Sequence, residues 1–161
     1  MSDKETLERL PAVGVDFMDD DHEEAFALLD RIVGSLEGLV DADPEPPGLR
    51  RDLRDFIEHS RQHFRHEELE MQRAGYSPLP IHKQEHDQRL EELVGYVDDL
   101  DAGVISLQGL KSRFLDEFVP WYHKHCSTMD KATAKFLEDN PVTENKPCDE
   151  CWVVTQKKRP V

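Results

Sequence analysis

His59–His86 reads HSRQHFRHEELEMQRAGYSPLPIHKQEH and holds five of the chain's eight histidines within 28 residues. Spacing explains the crowding. At about 100° per residue, positions i and i+4 of an α-helix share a face. His63 and Glu67 form such a pair, and His82 and His86 form another. Between the pairs, Gly75 suits a helix C-cap and Pro80 suits a first helical position. The stretch therefore predicts two helices, each turning a pair of metal-ligand side chains to one face.

Working outward, four helical stretches emerge and no long alternating strand pattern. The first is predicted from Asp19 to Val40, where Phe26, Leu28, Leu29, Ile32, Val33, Leu36 and Val40 recur at spacings of three and four. Its acidic start, DDDHEE, suits the positive end of a helix. DADPEPPG then breaks the chain. The second helix is predicted from Leu49 to Arg73, the third from Pro80 to Leu100 and the fourth from Ser106 to Leu137, with a kink or restart at Pro120. Short links between four helices fit an all-α, up-down-up-down four-helix bundle. Residues 1–140 are read as that bundle. Residues 141–161 carry no helical period and are read as a non-helical tail or strap.

The chain is 161 residues with a formal charge of -15, which argues against nucleic acid or an anionic membrane as partner. No apolar run reaches the roughly 20 residues of a membrane span. The polar start MSDKETLERLPAVG lacks a signal-peptide core, so a cytoplasmic protein is expected. Three cysteines, Cys126, Cys148 and Cys151, give an odd count with no disulfide framework.

The remaining helices extend the ligand set. His22 sits early on the first. His125 and Asp130 lie on the fourth, five residues and about 140° apart, and both reach inward only if they straddle the bundle axis. Imidazole suits iron, copper, zinc and nickel, while carboxylates suit harder ions and can bridge. Five histidines and two carboxylates exceed one tetrahedral zinc and match two ions sharing Glu67 and Asp130. The core of a bundle accommodates such a site. A ferritin-type site needs two Glu-x-x-His elements, and no Glu here is followed by His three residues later.

At this point the sequence resembles the hemerythrin family, particularly its single-domain bacterial members. VGVDFMDDDH supplies His22, HFRHEELEM supplies His63 and Glu67, GYSPLPIHKQEH supplies His82 and His86, and WYHKHCSTMD supplies His125 and Asp130. The resemblance spans about residues 10 to 138. It implies a non-haem di-iron centre binding O2, with two oxo- or hydroxo-bridged iron ions. By that resemblance, His82, His86 and His125 hold one iron and His22 and His63 the other. Glu67 and Asp130 bridge them, and the second iron is left five-coordinate. His59, His66 and His123 match no ligand position, and His59 is placed to support His63 from behind.

Two residues depart from the family pattern. Tyr122 follows Trp121 where Leu is usual, and Cys126 follows His125 where Ile is usual. With Trp121 they are the expected wall of the ligand pocket. A more polar wall keeps open an enzyme or sensor reacting with O2, peroxide or NO, beside an O2 carrier, store or sensor. A signalling module acting through protein partners is a further alternative. Cys148 and Cys151 form a CxxC in the tail, which reads as half a zinc site, a redox pair or inert thiols.

Overall fold

The computed structural model describes residues 7–142. Four antiparallel helices form an up-down-up-down bundle: α1 (Asp16–Glu37), α2 (Leu49–Ala74), α3 (Leu79–Asp101) and α4 (residues 107–139). No strand occurs among the described residues. Cys148 and Cys151, with the rest of the expected tail beyond Val142, lie outside them.

Local chemistry sets the helix ends. The Asp19 carboxylate accepts the backbone N–H groups of Val13 at 2.7 Å and Gly14 at 3.0 Å, fixing the turn that enters α1. The expected span Asp19–Val40 is thus shifted to Asp16–Glu37. Leu39 folds back so that its N–H meets the Leu36 carbonyl, and Val40, counted in the apolar stripe, points to solvent. At Gly75 the backbone is left-handed, φ 72°. Tyr76 N–H reaches the Met71 carbonyl and Gly75 N–H the Gln72 carbonyl, the paired closure that favours glycine at a helix end. The Ser106 hydroxyl caps α4 by accepting Gly109 N–H.

Pro120 stands in the first turn of a restarted α segment, Val119–His125, inside a continuous run of helix. Hydrogen bonding widens to an i→i+5 pattern over Arg113–Phe118, with Val119 N–H reaching the Phe114 carbonyl, and returns to α over Val119–His125. A wider turn accommodates the proline ring and its missing N–H, which a regular turn would oppose. A second π segment, Cys126–Asp130, precedes the last α segment, Lys131–Asp139.

The bundle divides lengthwise. One half is apolar: Leu29, Ile32 and Leu36 of α1 meet Leu53 and Phe56 of α2, Leu93 and Leu100 of α3, and Phe114 and Phe118 of α4. Each such side chain contributes about 1.5–3 kcal/mol by leaving water. The other half gathers the start of α1, the end of α2, the start of α3 and the end of α4. Antiparallel order places those four termini together, and they carry His22, His63 with Glu67, His82 with His86, and His125 with Asp130.

Candidate metal centre

All seven of these side chains are buried, none more than 3% exposed. Their ligand-type atoms fall into two groups within which every pair lies inside 4.8 Å: Glu67, His82, His86, His125 and Asp130, and His22, His63, Glu67 and Asp130. Both carboxylates belong to both groups.

The oxygens divide between the groups. Glu67 Oε1 lies 3.2 Å from His63 Nε2 and 4.0 Å from His22 Nε2, whereas Oε2 lies 3.4 Å from His86 Nε2 and 3.7 Å from His82 Nε2. Asp130 Oδ2 lies 3.1 Å from His22 Nε2, whereas Oδ1 lies 3.1 Å from His82 Nε2 and 3.0 Å from His125 Nε2. Each carboxylate therefore turns one oxygen toward the α1–α2 side, Glu67 to His63 and His22 and Asp130 to His22, and the other toward the α3–α4 side, Glu67 to His86 and His82 and Asp130 to His82 and His125.

The second π segment makes Asp130 available. In a regular helix it would stand about 140° from His125. The i→i+5 turn returns it to the same face, so the pair need not straddle the bundle axis. Ser127 and Thr128 hydroxyls donate to the Lys124 carbonyl at 3.0 and 2.8 Å, beside the wide turn.

Behind the cluster, acceptors fix three of the five rings. His63 donates from Nδ1 to Asp21 Oδ2 at 3.0 Å, and His86 donates from Nδ1 to Glu68 Oε1 at 3.1 Å. His82 Nδ1 faces the Thr133 hydroxyl at 3.0 Å, whose own hydrogen points to the Met71 sulfur. A carboxylate can only accept, so Nδ1 carries the proton in His63 and His86, and Nε2 turns its lone pair to the cluster. Phe64 stacks on His86 with centroids 4.0 Å apart. His59 lies parallel to His63 and donates to the Asp21 carbonyl at 2.9 Å. His66 and His123 belong to neither group. Sequence spacing missed Asp21, Glu68 and Thr133. Asp21 and Glu68 adjoin ligand-type residues, but adjacency alone does not say where a side chain points.

Electrostatics show what the cluster lacks. Burial, then the neighbouring Asp130, push the Glu67 carboxyl well above the usual carboxylate range. Burial also works to raise Asp130, but hydrogen bonds from His125, His22 and His82 outweigh it and hold Asp130 well below that range. Burial lowers His63 against the pull of its Asp21 hydrogen bond, and lowers His86 with help from His82 and His125. Among the described residues, both Glu67 oxygens and His63 Nε2 are buried without a hydrogen-bond partner. Unpaired buried polar atoms are costly. Lone pairs converging from two sides on shared carboxylates fit two cations, which would satisfy them.

Of the expected wall residues on α4, Trp121 and Cys126 each approach a histidine of the cluster, while Tyr122 packs among aromatic rings. The Trp121 ring packs against His125 at 4.8 Å, and its indole donates to Glu85 Oε2 at 2.9 Å. Cys126 Sγ lies 3.7 Å from His22 Nε2. Tyr122 is fully buried, its ring among Phe56, Phe118 and Trp121, and its hydroxyl has no hydrogen-bond partner among the described residues. Burial raises the pKa of both the Tyr122 phenol and the Cys126 thiol.

Fold and cluster together define a four-helix bundle with a buried set of metal-ligand-type side chains at its core. The chain belongs to the hemerythrin family, its residues 13–137 matching the hemerythrin HHE cation binding domain. It is 32% identical over 134 residues to a bacteriohemerythrin of Aquifex aeolicus, covering 81% of this chain and 95% of that protein. A bacteriohemerythrin of Methylococcus capsulatus is 30% identical over 73% of this chain and 83% of its own length. A myohemerythrin of Sipunculus nudus is 29% identical over 70% and 77%. Among solved structures, a hemerythrin carrying a leucine-to-tyrosine substitution superposes with TM-score 0.64 at 27% identity, covering 76% of this chain and 88% of that one. No helix among the described residues is long and apolar enough to cross a membrane.

Proposed function

We propose that this protein holds two iron ions and binds O2 between them and the α4 wall. His82, His86 and His125 would hold one ion, His22 and His63 the other, and Glu67 and Asp130 would each give one oxygen to each ion. The observation that carries this reading is the division of both carboxylates between two histidine sets. Three imidazoles against two leave one position fewer filled on the His22–His63 side, which is where O2 would enter. A reduced iron pair there supplies the two electrons on which reversible O2 binding draws. The chain's own work is to bury the site from bulk water, hold the Nε2 atoms of His63, His86 and His82 toward it through Asp21, Glu68 and Thr133, and wall the open side with Tyr122 and Cys126. The bacteriohemerythrin and myohemerythrin relatives support the assignment.

The experiment is anaerobic reduction of iron-loaded protein, addition of O2, and removal of O2 under vacuum, followed by visible absorption. A spectrum that forms and reverses, with two irons per chain, is expected. A partnerless hydroxyl and a thiol at the open side favour a second reading, in which the centre turns over O2, peroxide or NO. Irreversible oxidation accompanied by peroxide release or consumption selects that one. One ion or fewer in well-loaded protein overturns both.

A further inference from the structure

His63, His86 and His82 are fixed from behind through Nδ1. His22 and His125 are not: their Nδ1 atoms are buried with no hydrogen-bond partner among the described residues. His125 has an aromatic ring against it instead. Trp121 precedes it by one turn of α4, and the two rings pack with centroids 4.8 Å apart and planes 32° from parallel. The indole is held in turn by two residues of α3. Glu85 Oε2 accepts the indole N–H at 2.9 Å, and the Arg89 guanidinium lies over the ring, 5.0 Å from its centroid. Glu85 and Arg89 are four residues apart and share a face of α3. Arg89 is itself fastened to Glu92 Oε2 at 2.6 Å. An acceptor at the ring edge and a cation over the face fix the plane of an indole as well as its place. A ring packed on a neighbour restrains it only as firmly as it is itself restrained, so what fixes Trp121 also limits rotation of His125.

We propose that Glu85, with Arg89, positions the His125 imidazole by fixing Trp121, and that this clamp between α3 and α4 sets the affinity of the ion on the three-histidine side. The proposal rests on the two-ion reading above. Glu85 belongs to neither group of ligand-type side chains, and its carboxylate acts on the site through the indole. His82 and His86 come from the same stretch of α3 as the clamp. Holding Trp121 to that stretch therefore keeps His125 Nε2 at its 3.1 Å approach to each of their Nε2 atoms.

The test titrates Co(II) into metal-free protein. Affinity is read by competition with a chelator and coordination by visible absorption. The proteins are wild type, Glu85→Ala, Glu85→Gln, Trp121→Phe, the Glu85→Ala/Trp121→Phe double variant and, as a control on the exposed side of α3, Glu91→Ala. Wild type is expected to take two Co(II) per chain. Glu85→Ala is expected to weaken one of the two about three- to tenfold and to alter its absorption band, a smaller loss than the roughly 10–100-fold of a group bonded directly to a ligand. Glu85→Gln is expected to keep wild-type affinity, because an amide oxygen still accepts from the indole, and Glu91→Ala to change nothing. Trp121→Phe keeps a ring but has no N–H, so adding Glu85→Ala to it is expected to cost nothing more. Wild-type affinity for both ions in Glu85→Ala overturns the proposal. So does an equal loss in Glu85→Gln, which would make the carboxylate's charge the cause, or a full Glu85→Ala effect in the Trp121→Phe background, which would bypass the indole. Should Trp121→Phe not fold, the comparison of Glu85→Ala with Glu85→Gln decides. Fewer than two Co(II) in wild type overturns the two-ion reading, and this proposal with it.

Discussion

His125 and Asp130, five residues apart on α4, bring Nε2 and Oδ1 to 3.0 Å because the helix between them is wound as a π turn. The turn acts as a one-residue insertion in an otherwise α-helical register. Removing Thr128 should return the segment to α geometry, with the pair at i,i+4 on one face. Inserting one alanine there should set the pair about 120° apart on the helix. The deletion variant is expected to keep two metals per chain by elemental analysis and the insertion variant to lose at least one. The reverse result would refute this account of α4.

Asp21 and Glu68 touch no ion in the proposed site, yet each fixes the proton on a ligand histidine. Asp21→Asn and Glu68→Gln are expected to weaken metal binding about 10–100-fold while leaving the fold intact. Competition against a chromogenic chelator measures this. Affinities equal to wild type would mean that packing alone, such as Phe64 on His86, orients the rings.

Acid should destabilise the metal-free bundle. His63 and His86 have their pKa values lowered by folding, chiefly through burial. Below the ordinary histidine value of about 6.5 the unfolded chain therefore binds more protons than the folded one, and stability falls as pH falls, by up to about 1.4 kcal/mol per pH unit for each histidine. Glu67 opposes this, because its raised pKa means that the folded protein holds a proton above 4.5 that the unfolded chain releases. Two histidines outweigh one glutamate. The melting temperature of metal-free protein is expected to drop between about pH 6.5 and 5. A flat or rising profile would show that these imidazoles are not held neutral. With metal bound, the same range should also bring metal release, since protons compete for the ligand nitrogens.

Removal of residues 143–161 should leave metal content and the visible spectrum unchanged, because all seven proposed ligands lie between His22 and Asp130. Loss of metal or a shifted spectrum would implicate the tail, with Cys148 and Cys151 the first residues to test.

The sequence by itself determined the four helices, their antiparallel order and the residues that meet at one end of the bundle. These are properties of local period and link length: His63 with Glu67, and His82 with His86, share a face in any α-helix. Only the tertiary structure decided how the ligands are shared. Which oxygen of Glu67 faces His63 and which faces His86 depends on rotamers set by three helices at once. That Asp21, Glu68 and Thr133 support particular rings depends on contacts across helices and on side-chain direction within them. Asp130 shows the limit most directly. Its place five residues after His125 argues, by α-helical period, for a different face, and the wide turn that overrides this has no period of its own in the sequence. It is supported by the Ser127 and Thr128 hydroxyls, which donate to the Lys124 carbonyl, and by Asp130, which, once turned inward, meets His22, His82 and His125.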